Sequence, residues 1–239
     1  MFFFNKKLKL VDTDVFHAAI DWHSHILPGV DDGIPNMADA LAVLHYYEQI
    51  GISEVWLTPH IMEDIPNTTD ELRDRFDELT YAYNGPILLH LAAENMLDNL
   101  FDERLKAGDV LPIGPGGKCL LVETSYFQPP LNLRKTFKHI REVGYQPILA
   151  HPERYIYMND DDYDYLAKNN VMLQLNIISL TGAYGESAQA KAKHILGKGY
   201  YSFWGSDLHR LSHFSKAAEY PSIRKDDAKR LLELPNRIL

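Results

Sequence analysis

Seven short apolar segments, at 18–22, 54–58, 87–92, 119–123, 147–150, 171–175 and 200–204, read as β-strands, and segments of helical spacing separate most of them. Alternation of this kind predicts an α/β fold of parallel strands joined by helices, closed into a barrel or laid out as an open sheet. A helix is predicted over 37–50, where Ala38, Leu41, Leu44 and Tyr47 share a drifting face and Gly51 ends the element. Others are predicted over 70–83 with Thr69 or Asp70 as cap, and over 131–143, 161–169 and 188–196. The stretch 94–117 is poorer in pattern and predicts a loop with a short helix at 97–106. No low-complexity tract, long Gly/Ser linker or internal repeat interrupts the order, so a single domain over 20–239 follows an N-terminal extension over 1–19.

In parallel α/β folds the chemistry gathers at the carboxyl ends of the strands. Six of the seven predicted strands end in His, Asp or Glu: His23 and His25 close the first, His60 the second, Glu94 the third, Glu123 the fourth, His151 the fifth, and Asp207 with His209 the seventh. Spacing of i, i+2 places His23 and His25 on one face of their strand, and "SDLH" repeats the device at the far end of the chain. Asp31 and Asp32 follow in "LPGVDDG", where either serves turn chemistry or ligation. Any one of these residues is ordinary alone. Together they would bury several carboxylates and imidazoles at one end of a sheet, a cost of many kcal/mol unless cations offset it. A mixed imidazole and carboxylate set without sulfur suits Zn, Mn or Fe. His17, His45, His90, His139, His194 and His213 lie within strand or helix patterns away from strand ends and read as structural.

A formal charge of −9 argues against a broad nucleic-acid surface, and divalent ions are what would let such a chain attract an anionic substrate. The one cysteine, Cys119, allows no internal disulfide and fits a reducing cytoplasm. The run of three phenylalanines in "MFFFNKKLKL" is short of the roughly 7–15 apolar residues of a signal peptide, and nothing approaches the roughly 18 of a spanning helix, so no direct membrane insertion is expected. Cysteine-dependent phosphatase chemistry is excluded, because the arginine needed six positions after Cys119 is Ser125. "GPGGK" at 114–118 lacks the order of a phosphate-binding loop.

With "DWHSH", "TPH", "AAEN", "LLVET", "AHPERY" and "GSDLHR" in that order, the chain resembles the PHP (polymerase and histidinol phosphatase) family, and "HSHILPGVDDG", "LTPH" and "AHPERY" resemble the bacterial metal-dependent protein-tyrosine phosphatases of capsule and exopolysaccharide operons. The resemblance runs from about Ile20 to Arg210. It implies a distorted (β/α)7 TIM-like barrel holding two to three divalent ions, with manganese favoured. By the same resemblance His23, His25 and Asp207 hold one ion, which Glu94 bridges to a second completed by Glu123 and His151, while Asp32, His60 and His209 hold a third. Metal-bound hydroxide would then attack phosphorus, and Arg154 and Arg210, just after ligand motifs, would clamp the phosphoryl oxygens. A tyrosyl leaving group, with an ordinary pKa of about 10, needs little protonation, and no general acid stands out. The implied substrate is a phosphotyrosyl protein, the tail of a membrane-associated tyrosine kinase. Competing readings are a small-molecule phosphatase of histidinol-phosphatase type, a nuclease, and a non-catalytic metal-binding regulator. Oligomeric state stays open; Phe2–Phe4 and the aromatics after Leu211 would cover the barrel or meet another subunit.

Overall fold

The computed structural model describes residues 7–238, so Phe2–Phe4 lie outside the described residues. All seven expected strands form, two of them in two pieces. The strands are β1 (Ala19–Ser24), β2 (Ile52–Leu57), β3 (His60–Ile61), β4 (Leu88–Leu91), β5 (Glu94–Met96), β6 (Cys119–Glu123), β7 (Gln146–Ala150), β8 (Met172–Asn176) and β9 (Tyr201–Gly205). The helices are α1 (Met37–Ile50), α2 (Thr69–Ala82), α3 (Phe101–Ala107), α4 (Leu133–Glu142), α5 (Asp160–Lys168), α6 (Gly185–Lys198), α7 (Leu211–Glu219) and α8 (Lys225–Leu232). Every strand pair is parallel, in the orders β1-β2-β4 and β3-β5-β6-β7-β8-β9.

β3 continues β2 through Thr58 and Pro59, and β5 continues β4 through Ala92 and Ala93; Ala92 N still donates to Leu57 O, and Glu94 N to Pro59 O. The ring closes where Asp207 N donates to His23 O at 2.7 Å and His25 N donates to Leu208 O at 3.1 Å. Between β4 and β6 a segment is wedged in, with Ala93 N bonded to Leu111 O and Ile113 N to Cys119 O. This is the distortion of a seven-stranded α/β barrel.

Local chemistry explains the elements. Asn36 Oδ1 caps α1 by accepting from Asp39 N, and Gly51 ends it at φ 97°, a conformation that favours glycine. The buried face of α1 is Ala40, Val43, Leu44 and Tyr47, with Leu41 half-buried beside it; of the expected face only Ala38 is exposed, Ala40 and Val43 packing inward as well. Thr68, not Thr69 or Asp70, caps α2, in a reciprocal capping box with Glu71. The stretch 97–106 orders only from Phe101 as helix, after the short β5. Phe214 of α7 is buried against Phe16, Tyr46 and Tyr47, so this aromatic covers the barrel.

Inward-facing residues follow period two and stack in layers. Trp22, Trp56, Ala92, Cys119, Leu121, Ile148, Ala150 and Phe203 form an apolar plug in the barrel, with Trp22 stacked on Trp56 at 5.7 Å. Continuing the same columns upward gives His60 above Trp56, Glu94 above Ala92, Glu123 above Leu121 and Asp207 above Phe203. The plug thus seals the lower barrel, and the next layer is entirely polar.

Candidate metal centre

Two strands break the alternation to fill that polar layer. Trp22 already faces inward, so His23 would face out in a regular strand; an irregular register between Asp21 and Ser24 against β2 turns it in. Ala150 also faces inward, and His151 is brought to the same side by φ 32°, uncommon for a residue with a Cβ. Asp207 lies at φ 51°. Such strained backbone is typical of functional sites. Buried Asp21 fastens the closure, accepting from Tyr47 Oη and Ser206 N at 2.8 Å and from His23 N at 3.2 Å.

The expected ligand residues converge. Nε2 of His23 and Nε2 of His25 are 3.1 Å apart. Glu94 Oε2 lies 3.3 Å from the first, 3.4 Å from the second and 3.2 Å from His60 Nδ1. Asp207 Oδ1 lies 3.5 and 3.4 Å from the same two Nε2 atoms. His60 Nδ1 is 3.0 Å from Glu123 Oε1, and His151 Nε2 is 3.0 Å from Glu94 Oε1 and 4.0 Å from Glu123 Oε2. Asp32 Oδ1 stands at the mouth, 3.5 Å from His60 Nε2 and 3.4 Å from His209 Nε2. Ligand atoms cluster in the groups His23–His25–Glu94–Asp207, His60–Glu94–Glu123, His25–His60–His209 and Asp31–Asp32–His60; His151 touches the cluster without completing a group of its own.

These spacings fit cations. Ligands roughly 2.0–2.2 Å from a shared ion are separated by about 3.0–3.5 Å. Oε2 of Glu94, Oε1 of Glu123 and Nδ1 of His60 are buried and make no hydrogen bond, although they crowd one another at 3.0–3.2 Å; Nδ1 of His151 is likewise buried and unbonded. Orphaned polar atoms are costly in a plain hydrogen-bonded network. Burial alone would raise the carboxyl of Glu94, yet His23 and His151 beside it hold it well below the usual range; for Asp207, His23 and Arg154 do the same. Conversely, burial and the charge of His25 work against protonation of His60, while Asp32 and Glu123 push it up to about 10. The cavity is thus built around opposite charges in close contact.

Side chains outside the expected set orient it. Asp31 Oδ2 lies 2.8 Å from His25 Nδ1 and also accepts from His60 N, which leaves His25 Nε2 aimed at the cluster. Gln174 Oε1 does the same at 3.0 Å for His23 Nδ1 and accepts from His151 N, and Asn176 Nδ2 donates to Asp207 Oδ2 at 2.9 Å. Both amides come from β8, the one strand without a ligand-type end. Arg154 pairs with Asp207 Oδ2 and is held between the rings of Tyr126 at 4.4 Å and Tyr184 at 4.2 Å. An open cavity of about 370 Å³ above the cluster is lined by Asp32, His60, Glu123, Tyr126, Arg154, Tyr184, Asp207, His209, Arg210 and His213. His213 therefore belongs to the rim of the site, T-stacked on Tyr184 at 5.7 Å, whereas His17, His45, His90, His139 and His194 do not line this cavity.

Comparison with known proteins agrees with this architecture. The family described as capsular polysaccharide synthesis, CpsB/CapC, matches residues 19–227. The tyrosine-protein phosphatase YwqE of Bacillus subtilis is 25% identical over 198 residues, covering 80% of this chain and 78% of its own. The tyrosine-protein phosphatase CpsB of Streptococcus pneumoniae is 24% identical over 211 residues, covering 80% and 83%. A crystal structure from the work on YwqE and S. pneumoniae CpsB, described as metal-dependent tyrosine phosphatases, superimposes with a TM-score of 0.76 at 24% identity, over 90% of this chain and 86% of that one. A match spanning most of the chain makes it a member of the CpsB/CapC family.

Proposed function

We propose that the protein is a metal-dependent phosphomonoesterase acting on phosphotyrosyl protein, the tail of a membrane-associated tyrosine kinase of capsule or exopolysaccharide synthesis, in the cytoplasm. The observation that carries the reading is the convergence of buried, unbonded imidazole and carboxylate atoms beneath a cavity that also holds the guanidinium of Arg154. The relatives' activity supports the reaction class.

His23, His25 and Asp207 would hold one divalent ion; Glu94 would bridge it to a second held with Glu123 and His151; Asp32, His60 and His209 would hold a third. Manganese, iron or zinc in that set would neutralise phosphoryl oxygens and lower the pKa of a water toward neutrality. Arg154, kept charged beside Asp207 and fixed by two tyrosine rings, would bind the phosphoryl oxygens and stabilise charge developing on them. Arg210, exposed at the cavity rim and unpaired among the described residues, would steer the anion inward. Gln174, Asn176 and Asp31 would hold the ligands in place. A protein substrate is favoured over a small molecule by the surface next to Tyr126, which lines the cavity: exposed Phe127 follows it, exposed Leu131 lies farther along the loop after β6, and exposed Ile156 donates its N–H to Tyr126 O. Apolar side chains beside a cavity that binds a phosphoryl group suit the flanks of a phosphotyrosine in a peptide.

The test compares the manganese-loaded protein on p-nitrophenyl phosphate, a phosphotyrosyl peptide, histidinol phosphate and single-stranded nucleic acid. Fastest turnover of the phosphotyrosyl peptide is expected. Preference for histidinol phosphate would overturn the substrate class, and no hydrolysis of any phosphomonoester would leave the metal-binding regulator as the reading.

A further inference from the structure

A cavity of about 850 Å³ opens at the opposite end of the barrel, at the amino ends of β6 to β9. Lys118 precedes β6 and Gln146 begins β7, with Gln146 N donating to Lys118 O at 2.7 Å; Tyr200 precedes β9, and its hydroxyl donates to Asp164 at 2.7 Å. Arg141, at the end of α4, and Arg237, in the C-terminal segment, complete a lining that contains three cations and no carboxylate. None of the ion pairs among the described residues includes Lys118, Arg141 or Arg237. Nη1 of Arg141 is buried with no hydrogen-bond partner.

Three uncompensated cations around one cavity are conspicuous in a chain of net charge −9. Like charges held together repel, so the arrangement suits an anion that would bind all three. Guanidinium forks match phosphate oxygens, and the volume lies within the roughly 300–1,000 Å³ of small-molecule sites. Tyr145 and Tyr200 line the same cavity and supply faces on which a planar ring can stack. We infer that this end of the barrel is a second binding site, separate from the metal centre, for a pyrophosphate-bearing ligand such as a nucleoside diphosphate. The pyrophosphate would lie among Lys118, Arg141 and Arg237, with the base against the tyrosines.

The test is calorimetric titration of the manganese-loaded protein with ADP and, separately, with inorganic pyrophosphate, orthophosphate being in excess to occupy the metal centre. Saturable binding is expected, weakened about tenfold or more by Lys118→Gln, by Arg237→Gln and by Arg141→Gln. The first two residues are exposed, so their variants should fold normally, and hydrolysis of p-nitrophenyl phosphate should be unchanged in all three. Tighter binding of ADP than of pyrophosphate would assign the site to nucleotides; equal binding would assign it to the pyrophosphate group alone, and either result supports the site. Absence of saturable binding, binding that survives the Lys118→Gln, Arg237→Gln double variant, or loss of binding in Asp207→Asn would overturn it.

Discussion

Individual side chains at the metal centre divide into those that face the cluster and those that aim them, and the two kinds fail differently when removed. Asp31 Oδ1 accepts from Gly33 N while Oδ2 holds the His25 ring, so Asp31→Asn can keep the turn and lose the charged partner of the imidazole. Metal affinity should fall about 10- to 100-fold with little change in melting temperature, as read by metal titration and circular dichroism. His151→Ala and Asp207→Ala should abolish activity and reduce bound metal, whereas His139→Ala should do neither; equal metal loading of His151→Ala and wild type would refute its role. Arg154 makes its ion pair with Asp207 Oδ2, leaving Oδ1 toward the two imidazoles. Arg154→Ala should therefore retain metal and lose about 10²- to 10³-fold in kcat, the usual cost of one donor to developing charge. Loss of metal in that variant would instead show that the arginine holds the carboxylate in place.

Elements determine which of these residues the sequence could reveal. Ligand-type residues at strand ends were legible because a period-two column carries a buried strand straight into the site, as Cys119, Leu121 and Glu123 do. Gln174 and Asn176 were not, since an amide has no ligand signature and its use depends on distant partners, His23 of β1 and the residues that follow β7 and β9. The bulge in β1 and the left-handed turn at His151 also leave no local trace, being set by how the barrel closes. Helix α1 is legible at its full length and Leu41, Leu44 and Tyr47 pack as the spacing predicts, whereas Ala38 is exposed and Ala40 and Val43 take the buried positions, since alanine's apolarity does not distinguish one face from the next. Packing of β1 on β9 makes one further demand. A Cβ at Gly205 would stand 2.4 Å from His23 Cβ and 2.9 Å from Gln174 Nε2, so Gly205→Ala must displace the histidine or its partner. It should lower metal affinity and destabilise the fold by about 1–3 kcal/mol, measured by denaturant unfolding. On the loop after β6, Phe127→Ala with Leu131→Ala should raise KM for a phosphotyrosyl peptide several-fold and leave p-nitrophenyl phosphate turnover alone; an equal effect on both would deny these exposed side chains a part in substrate choice.

The whole molecule couples the centre to stability, because β1, β2, β4 to β7 and β9, or the loops that extend them, each deliver ionisable groups to one buried layer. The N-terminal segment adds a second closure: Leu8 pairs with Ile223 after α7, and Phe16 packs on Phe214 of α7 and edge-on to Trp204 at 5.7 Å, so the chain before β1 braces α7 against β9, which leads to Asp207. In the metal-free protein the carboxylates are balanced by Arg154, which pairs with Asp207, and by protonated imidazoles. His25 and His60 are raised above their ordinary value of 6.5, His60 to about 10. A histidine whose folded-state pKa is raised stabilises the fold fully below its unfolded value and loses that contribution as pH climbs through the folded value. Metal-free protein should therefore lose melting temperature progressively between about pH 6.5 and 10. Metal-loaded protein should behave in the opposite sense over the lower part of that window, because each ion must displace protons from imidazole before it binds. The gain in melting temperature on adding manganese should accordingly be small at pH 6 and grow toward pH 9, and binding should release protons, seen as a dependence of calorimetric enthalpy on the buffer's ionisation enthalpy. A gain that is independent of pH, with no proton release, would mean that the ions bind somewhere other than among these histidines.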